Sequence, residues 1–339
     1  MSGAVLFFSL DGTSWEIFEE ADGRKMIIAA LLVVAVWVLD ASKLYCLTRA
    51  AGERISPSLA IELTWINYFG AAITPMQSGG GPFQMYIMYK NGIGVGKTVA
   101  ITLVRTILTL LILGMTIPFS FMLQGDLPQI GWGMAGFLFY VVVFLSVAWL
   151  FVVLSLVRPK LIKRFFAWIV KGLKKIGLLR SARLGRIIGR VNREIDAYNQ
   201  NLWDFMTTGR RYFLTAVVIA VLQLLAQLSV MPCMIRALGF PVGYVECILI
   251  QALFLFLLYF VPTPGGSGAA EGGAALVFSL FVPWNIAGML GVAWRFLTEH
   301  TGIILGAIVA FKMIGWSLAN RLMTKGTSVE EDTSEGKDS

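Results

Sequence analysis

Eight stretches of mostly apolar residues, separated by polar or charged segments, dominate the chain. They are Met26–Tyr45, Ser58–Thr74, Thr98–Leu123, Ile130–Val157, Tyr212–Leu238, Val242–Val261, Gly273–Val282 and Asn285–Trp316. Several reach or exceed the roughly 18 residues that mark a bilayer-spanning helix. Hydrophobic residues fill 57% of the 339 positions and charged residues only 14%, against about a quarter in soluble domains. The pattern predicts an all-α integral membrane protein with about six to eight membrane helices.

Positive charge is concentrated between the fourth and fifth apolar stretches. From Arg158 to Arg193 there are twelve Lys or Arg and no Asp or Glu, in a chain of net charge +8. Such segments stay on the cytoplasmic side of a membrane. Apolar residues recur here at helical spacing, which predicts an amphipathic helix on an anionic leaflet. Nucleic-acid binding is the weaker interpretation of the same patch, and we expect none.

The pattern divides the chain into five segments. They are an N-terminal segment, 1–25; a first membrane half, 26–157; a basic amphipathic linker, 158–211; a second membrane half, 212–319; and a polar tail, 320–339. The first segment lacks the basic leader of a signal peptide, so we expect it to be retained. The tail lacks apolar periodicity and is predicted to be disordered. We expect a multi-pass protein of the cell membrane with linker and tail cytoplasmic; the sequence leaves its oligomeric state open, a homo-oligomer included.

A short phrase occurs twice, each time after an apolar stretch. "TPMQSGG" at Thr74–Gly80 and "TPGGSGA" at Thr263–Ala269 both read T-P-x-x-S-G, and Arg105 and Arg295 follow them at nearly equal distances of 31 and 32 residues. Pro and Gly at this density end helices, and broken helices in corresponding positions of two halves indicate a transporter's binding site. We predict two pseudo-repeats, each with a broken, re-entrant helix. Coincidence between two Gly/Pro loops is the alternative.

The apolar arms that follow the two phrases are short. Gly273–Val282 has ten residues and Pro82–Tyr89 has fewer, and about 15 Å of helix covers only half a bilayer. If both arms return to the face from which they started, the two halves are inverted in the membrane. If the first run of each hairpin, the one before the phrase, crosses the membrane fully, the halves are parallel. Arm length favours inversion.

These segments also resemble a known family. "FVPTPGGSGAAEGG", Phe260–Gly273, resembles the Pro/Gly-rich signature, closed by a glutamate, of the lysylphosphatidylglycerol synthase transmembrane-region family, and Thr74–Arg105 resembles that family's first motif. The same membrane module forms the lipid-flipping part of the multiple peptide resistance factor, where a soluble aminoacyl-transferase domain follows. Here only a short polar tail follows, so we expect no aminoacyl transfer. Some members have an acidic residue after the first glycines, where this chain has Gln84.

The resemblance implies a lipid transporter, or flippase, that moves a phospholipid or a related anionic or aminoacylated lipid between leaflets. Membrane lipids are then its partners. The alternative is a non-transporting membrane protein that recruits or regulates a separate lipid-modifying enzyme through the surface Arg158–Arg193.

Charges inside apolar stretches are costly and are functional candidates for that reason. Arg105 and Arg295 could each bind a lipid phosphate through the guanidinium fork, or could pair with acidic residues and hold helices together. Glu271 could cap the following helix, or attract a proton or a cationic headgroup. Glu299, one turn after Arg295, is expected to be its partner. Lys43 is close enough to a helix end to snorkel.

The glycines and serines of the two phrases would let backbone N–H groups face an anion at a helix start. The predicted substrate-binding residues, which combine both phrases with the buried charges and the resemblance, are Thr74, Ser78, Gly79, Gln84, Arg105, Thr263, Gly265, Gly266, Ser267, Gly268, Glu271 and Arg295. The supporting charges are Asp40, Glu62 and Glu299.

Enzymatic interpretations are weaker. Ser267 within Gly265–Gly268, together with the single histidine His300, has the composition of an intramembrane Ser/His protease dyad, but prolines directly precede the serine and the first phrase has no histidine partner. Gly92–Thr98 is one residue short of a nucleotide-binding P-loop. The three cysteines show no metal-ligand spacing. We therefore expect no catalytic residue, no metal and no cofactor.

Overall fold

A computed structural model describes residues 19–124 and 207–315. Within these ranges every regular element is a helix, as the apolar pattern predicts. The helices are α1 (Gly23–Ala50), α2 (Pro57–Ala72), α3 (Gly80–Lys90), α4 (Val95–Gln124), α5 (Arg210–Ala237), α6 (Tyr244–Leu258), α7 (Ala269–Ser279), α8 (Trp284–Arg295) and α9 (Thr301–Ala310). π-Helical turns at Phe296–His300 and Phe311–Gly315 follow α8 and α9. The predicted stretch Ile130–Val157, most of the basic linker, the first 18 residues and the polar tail lie outside the described residues.

Among residues 19–124 and 207–315, four helical segments are long and apolar enough to cross a membrane. They are Gly23–Ala50, Val95–Thr116, Arg210–Ala237 and the continuous segment Trp284–Met313, which contains α8 and α9. The other four helices are shorter: α2 has 16 residues, α6 has 15, and α3 and α7 have 11 each. At about 1.5 Å per residue, none of these four covers the roughly 30 Å of a hydrocarbon core on its own. The described residues therefore form an all-α membrane protein that combines long and short helices.

The described residues fall into two compact units. Residues 19–41, 57–84 and 225–315 form the first unit, and residues 42–56, 85–124 and 207–224 form the second. Each unit therefore combines segments that are far apart in the sequence.

Small residues let the helices of the first unit approach closely. Gly302 and Gly306 lie one turn apart on α9, which packs along α2. A Cβ atom at Gly302 would lie 3.1 Å from the Tyr68 ring, and one at Gly306 would overlap the carbonyl group of Trp65. Glycines four residues apart serve the same purpose in other membrane helix pairs, because dispersion contacts between backbones replace the missing hydrophobic driving force.

Aromatic side chains fill the core beside this contact. Trp294 on α8 is 1% exposed and lies between Phe254 of α6 and Phe278 of α7, with ring centroids 6.3 Å away in each case. Gly273 of α7 leaves room for the Phe254 ring, since a Cβ there would overlap it. Together α6, α7 and α8 form a compact three-helix cluster, and α8 carries Arg295 at its end.

In the second unit, one prediction from the sequence, the position of the Lys43 side chain, is wrong. Lys43 does not snorkel to a helix end: it is 1% exposed, and its Nζ donates hydrogen bonds to Gln223 Oε1 at 2.6 Å and to Thr109 Oγ1 at 3.3 Å. The apolar pattern shows how far Lys43 lies from a helix end but not which polar groups of α4 and α5 face it. Because a buried amine is costly unless it is hydrogen-bonded, these contacts stabilise Lys43 in the interior.

The packing of α9 on α2 can be tested with a pair of glycines. Gly306→Ala should destabilise the protein by about 1–3 kcal/mol, because the new methyl group meets a backbone carbonyl that cannot move aside cheaply. Gly272→Ala on α7 is the matched control, because nothing lies within 4 Å of its Cβ position. The measurement is the thermal unfolding midpoint of each variant in detergent. Equal midpoints for the two variants would contradict the close contact.

Candidate functional site

The two T-P-x-x-S-G phrases meet in the first unit. The first phrase connects α2 to α3 and the second connects α6 to α7. Pro75 and Pro264 form an antiparallel β-bridge, and Gly265 N donates a hydrogen bond to Thr74 O at 3.3 Å. The backbone itself therefore joins two segments that are 189 residues apart in the sequence. We call this arrangement the paired turns.

Both turns adopt the same unusual backbone conformation. The third and fourth positions of each phrase are left-handed: φ is +55° at Met76 and +52° at Gln77, and +59° at Gly265 and +67° at Gly266. Glycine adopts this region freely, whereas other residues pay roughly 1–2 kcal/mol each. Such strain persists where surrounding contacts hold it and clusters at functional sites.

Each turn also closes with the same local hydrogen bond. Ser78 N donates to Pro75 O at 3.2 Å, and Ser267 N donates to Pro264 O at 3.0 Å. In the second turn the Thr263 hydroxyl additionally donates to Ser267 O at 3.0 Å. Both prolines and both serines are exposed. The paired turns therefore present two serine side chains on their outer surface.

The helices that follow the turns are capped differently. In the first turn, Thr74 Oγ1 accepts from Gly79 N at 2.7 Å and donates to Gly70 O at 2.8 Å. In the second, Gly268 N donates to Glu271 Oε2 at 2.6 Å. A carboxylate three residues into a helix commonly reaches back to the cap in this way. Capping, the structural alternative for Glu271, is thus present in the structure.

Arg295 fixes the second turn from the end of α8. It is 4% exposed, and its Nη2 donates to Gly265 O at 2.7 Å. Its Nε donates to Glu299 Oε2 at 3.2 Å, as expected from their one-turn spacing. Its Nη1 lies 2.7 Å from Glu271 Oε2, close enough for an ion pair although the two atoms are not aligned as a hydrogen bond. The guanidinium is engaged by protein groups, so binding a phosphate there would require an exchange of partners.

A π-helical turn, Phe296–His300, follows Arg295 directly. π-Turns inside helices are rare and often occur at functional sites. The His300 ring stacks on Phe296 with centroids 6.2 Å apart, and its Nδ1 lies 3.2 Å from Arg295 O. This imidazole nitrogen therefore lies against a backbone carbonyl rather than the hydroxyl of Ser267, its partner in the protease dyad that the sequence makes the weaker interpretation.

The remaining predicted residues lie on helices outside the two phrases. Gln84 is fully buried and donates to Leu63 O at 2.9 Å, which ties α3 to α2. Asp40 on α1 is 3% exposed, and Glu62 on α2 is half-buried. Arg105 lies in the second unit, on α4, and is 7% exposed. The paired turns thus gather the residues of both phrases with Glu271, Arg295 and Glu299.

Sequence reasoning missed two features of this region. It did not assign a left-handed conformation to Met76 and Gln77, although the alignment of the two phrases sets them opposite a pair of glycines. It also overlooked Gln251 on α6, which is fully buried and whose amide atoms lack a hydrogen-bond partner in the described part of the chain. Among residues 19–124 and 207–315, no three His, Cys, Asp or Glu side chains are placed to hold a metal ion.

The role of Arg295 can be tested by removing its charge. Arg295→Met should destabilise the protein by about 3–5 kcal/mol, because it leaves the buried Glu271 without this guanidinium. Glu299→Gln should cost only about 1 kcal/mol, because its amide oxygen can still accept from Nε. Thermal unfolding midpoints of the two variants in detergent provide the comparison. If Arg295→Met were no more harmful than Glu299→Gln, Arg295 would not hold the second turn.

Comparison with known proteins identifies the family. The family model described as the lysylphosphatidylglycerol synthase TM region matches residues 2–306. A UPF0104 membrane protein of Archaeoglobus fulgidus is 25% identical over 307 residues, which cover 90% of this chain and 92% of that protein. No solved structure matches the chain. The motifs, the apolar helices and the extent of the match agree, and the chain belongs to the lysylphosphatidylglycerol synthase transmembrane-region family, a family of multi-pass membrane proteins.

Proposed function

We propose that this protein moves a lipid between the two leaflets of the cell membrane, with the headgroup passing the paired turns. The observation that carries the proposal is the backbone pairing of two Pro/Gly turns from separate parts of an otherwise apolar chain. Non-helical backbone is tolerated at membrane depth only where protein or a water-filled cavity satisfies it. The pairing provides hydrogen-bond partners for part of the backbone of each turn. The part of each turn that stays exposed supports a water-filled path for the headgroup.

The lengths of the helices beside the turns support a re-entrant arrangement. The helices that follow the turns, α3 and α7, have 11 residues each, about 16 Å, which is close to half a hydrocarbon core. We propose that each turn dips into the bilayer and that the chain returns to the same face. The two halves are then inverted repeats, with the basic linker and the tail in the cytoplasm.

The chemistry of the paired turns suits the headgroup of a phospholipid. Ser78 and Ser267 are exposed, and a serine hydroxyl can donate to a phosphate oxygen. The Ser78 hydroxyl, which donates to Pro75 O at 2.8 Å, would exchange that partner for the phosphate. The N-termini of α3 and α7 begin beside these serines, and helix N-termini favour negative charge. Arg295 and Glu271 contribute by fixing the second turn in place. Arg105, a buried cation of the second unit, is a further candidate for contact with phosphate.

The sequence also bears on what could drive the movement of the lipid. The P-loop-like stretch Gly92–Thr98 is one residue short of a nucleotide site. We therefore propose facilitated movement, or movement coupled to a gradient.

Removal of the two turn hydroxyls tests the proposal. The double variant Ser78→Ala/Ser267→Ala should slow lipid movement at least about tenfold, because each lost hydrogen bond weakens headgroup binding by roughly 1 kcal/mol. The measurement uses purified protein in liposomes that contain a phospholipid with a fluorescent headgroup label. The initial rate at which inner-leaflet label becomes accessible to a membrane-impermeant quencher is recorded.

Ser279→Ala is the matched control, because Ser279 ends α7 away from the turns and donates locally to Leu276 O at 2.8 Å. Its rate should equal that of the unmodified protein. If the unmodified protein moves no lipid above the level of empty liposomes, the transport proposal fails. The alternative, a partner of a separate enzyme, would then be tested by charge reversal in Arg158–Arg193.

A further inference from the structure

The paired turns share a backbone but differ in the side chains at their left-handed positions. The second turn has Gly265 and Gly266 there, and the first has Met76 and Gln77. A chain that needs only the turn can use glycine at no steric cost, as the second turn does. The first turn instead holds two strained residues, and strain of this kind gives reason to look for a role of the side chains.

The two side chains differ in what they reach. Met76 is 42% exposed. Gln77 is half-buried, and its Nε2 lies 3.7 Å from the position that a Cβ atom on Gly266 would occupy. The Gln77 carboxamide therefore extends from the first turn across to the second. The bare backbone of Gly266 faces this amide.

The carboxamide is not one of the groups that close its own turn. Closure is made by Ser78, whose N–H and hydroxyl both donate to Pro75 O, at 3.2 Å and 2.8 Å, and by Thr74, which accepts from Gly79 N. In this left-handed conformation the amide lies at the junction of the paired turns.

The Gln77 carboxamide and the two exposed serines at this junction are uncharged and can donate as well as accept. A carboxamide has one acceptor oxygen and a donor NH₂ group, and each serine hydroxyl does both. Hydroxyl groups of a ligand match such partners because they also donate and accept. A site built to hydrogen-bond a hydroxyl discriminates against an analogue that lacks it, since its own polar groups are then left unpaired.

We propose that Gln77 is a specificity-determining residue that recognises a hydroxyl group of the lipid headgroup, such as that of a glycerol, an inositol or a hexose. The proposal rests on the proposed function, because it places the headgroup at the paired turns. It adds a substrate class, a hydroxylated headgroup, and a residue that selects it.

A binding experiment separates the contribution of the headgroup hydroxyl groups to affinity from that of the headgroup charge. Dioctanoyl-phosphatidylglycerol and dioctanoyl-phosphatidylmethanol carry the same chains and the same singly charged phosphodiester, but only the former has hydroxyl groups in its headgroup. Each is titrated into the purified full-length protein in detergent, and its Kd is measured by isothermal titration calorimetry. The unmodified protein should bind the hydroxylated lipid about tenfold more tightly, the effect of roughly one hydrogen bond.

Two glycine variants then separate the effect of the Gln77 carboxamide on the binding preference from the effect of the backbone strain. Gln77→Gly and Met76→Gly each relieve one strained residue, but only Gln77→Gly removes the carboxamide. Gln77→Gly should reduce the tenfold preference to near unity, and Met76→Gly should keep it. Gln77→Asn should retain part of the preference, because Asn tolerates the left-handed region and carries the same group. Gln77→Met, of similar size without hydrogen-bonding groups, should lose it.

Several results would overturn the proposal. They are equal binding of the two lipids by the unmodified protein, loss of the preference in both glycine variants alike, or its full retention in Gln77→Met. Binding and transport fail independently. A binding preference that depends on Gln77, without lipid movement in liposomes, would contradict the transport function and support the recognition of the hydroxyl group. Lipid movement without a binding preference would contradict the recognition and support the transport function.

Discussion

The hydrogen bond from Gly265 N to Thr74 O, together with the bridge between Pro75 and Pro264, is the contact on which the first unit depends. Turns rich in proline and glycine leave backbone groups without helical partners, and in an apolar environment each such group costs several kcal/mol. Pairing lets each turn satisfy part of the other. The sides that remain exposed carry Ser78 and Ser267, and in the proposed arrangement water or a polar headgroup would contact them. The stability of the fold and the proposed polar path thus have one cause.

The two turns are held by different means. The second is fixed by charge: Arg295 binds its Gly265 carbonyl and contacts Glu271, which in turn caps α7 through Gly268. The first is held by the Thr74 hydroxyl and carries the strained pair Met76 and Gln77. The two turns thus share left-handed backbone positions but differ in their side chains, which gives the proposed site two faces. One face is rigid and charged, and the other is neutral and suited to hydrogen-bonding a ligand.

Much of this arrangement follows from the sequence, because hydrophobic periodicity and repeated phrases report directly on local structure. The apolar pattern indicated helices and a membrane, the Pro/Gly phrases indicated where helices break, and the one-turn spacing of Arg295 and Glu299 placed them on one face. Long-range contacts do not follow from such patterns. Nothing in the position of Lys43 within its apolar stretch indicates that its ammonium group donates a hydrogen bond to Gln223 of α5. Likewise, the direct backbone pairing of Pro75 with Pro264, 189 residues apart, does not follow from the two phrases.

The pairing of the turns can be measured directly by cross-linking. Pro75→Cys and Pro264→Cys would be introduced together into protein in which Cys46, Cys233 and Cys247 are replaced by alanine, and the protein reconstituted in lipid vesicles. Antiparallel bridge partners have Cα atoms about 4.5–5.5 Å apart, within the range that a disulfide spans. Mild oxidation should therefore convert most of the protein to an intrachain disulfide that is reversible by reductant. Free thiols that persist at both positions after prolonged oxidation would contradict the pairing and the account built on it.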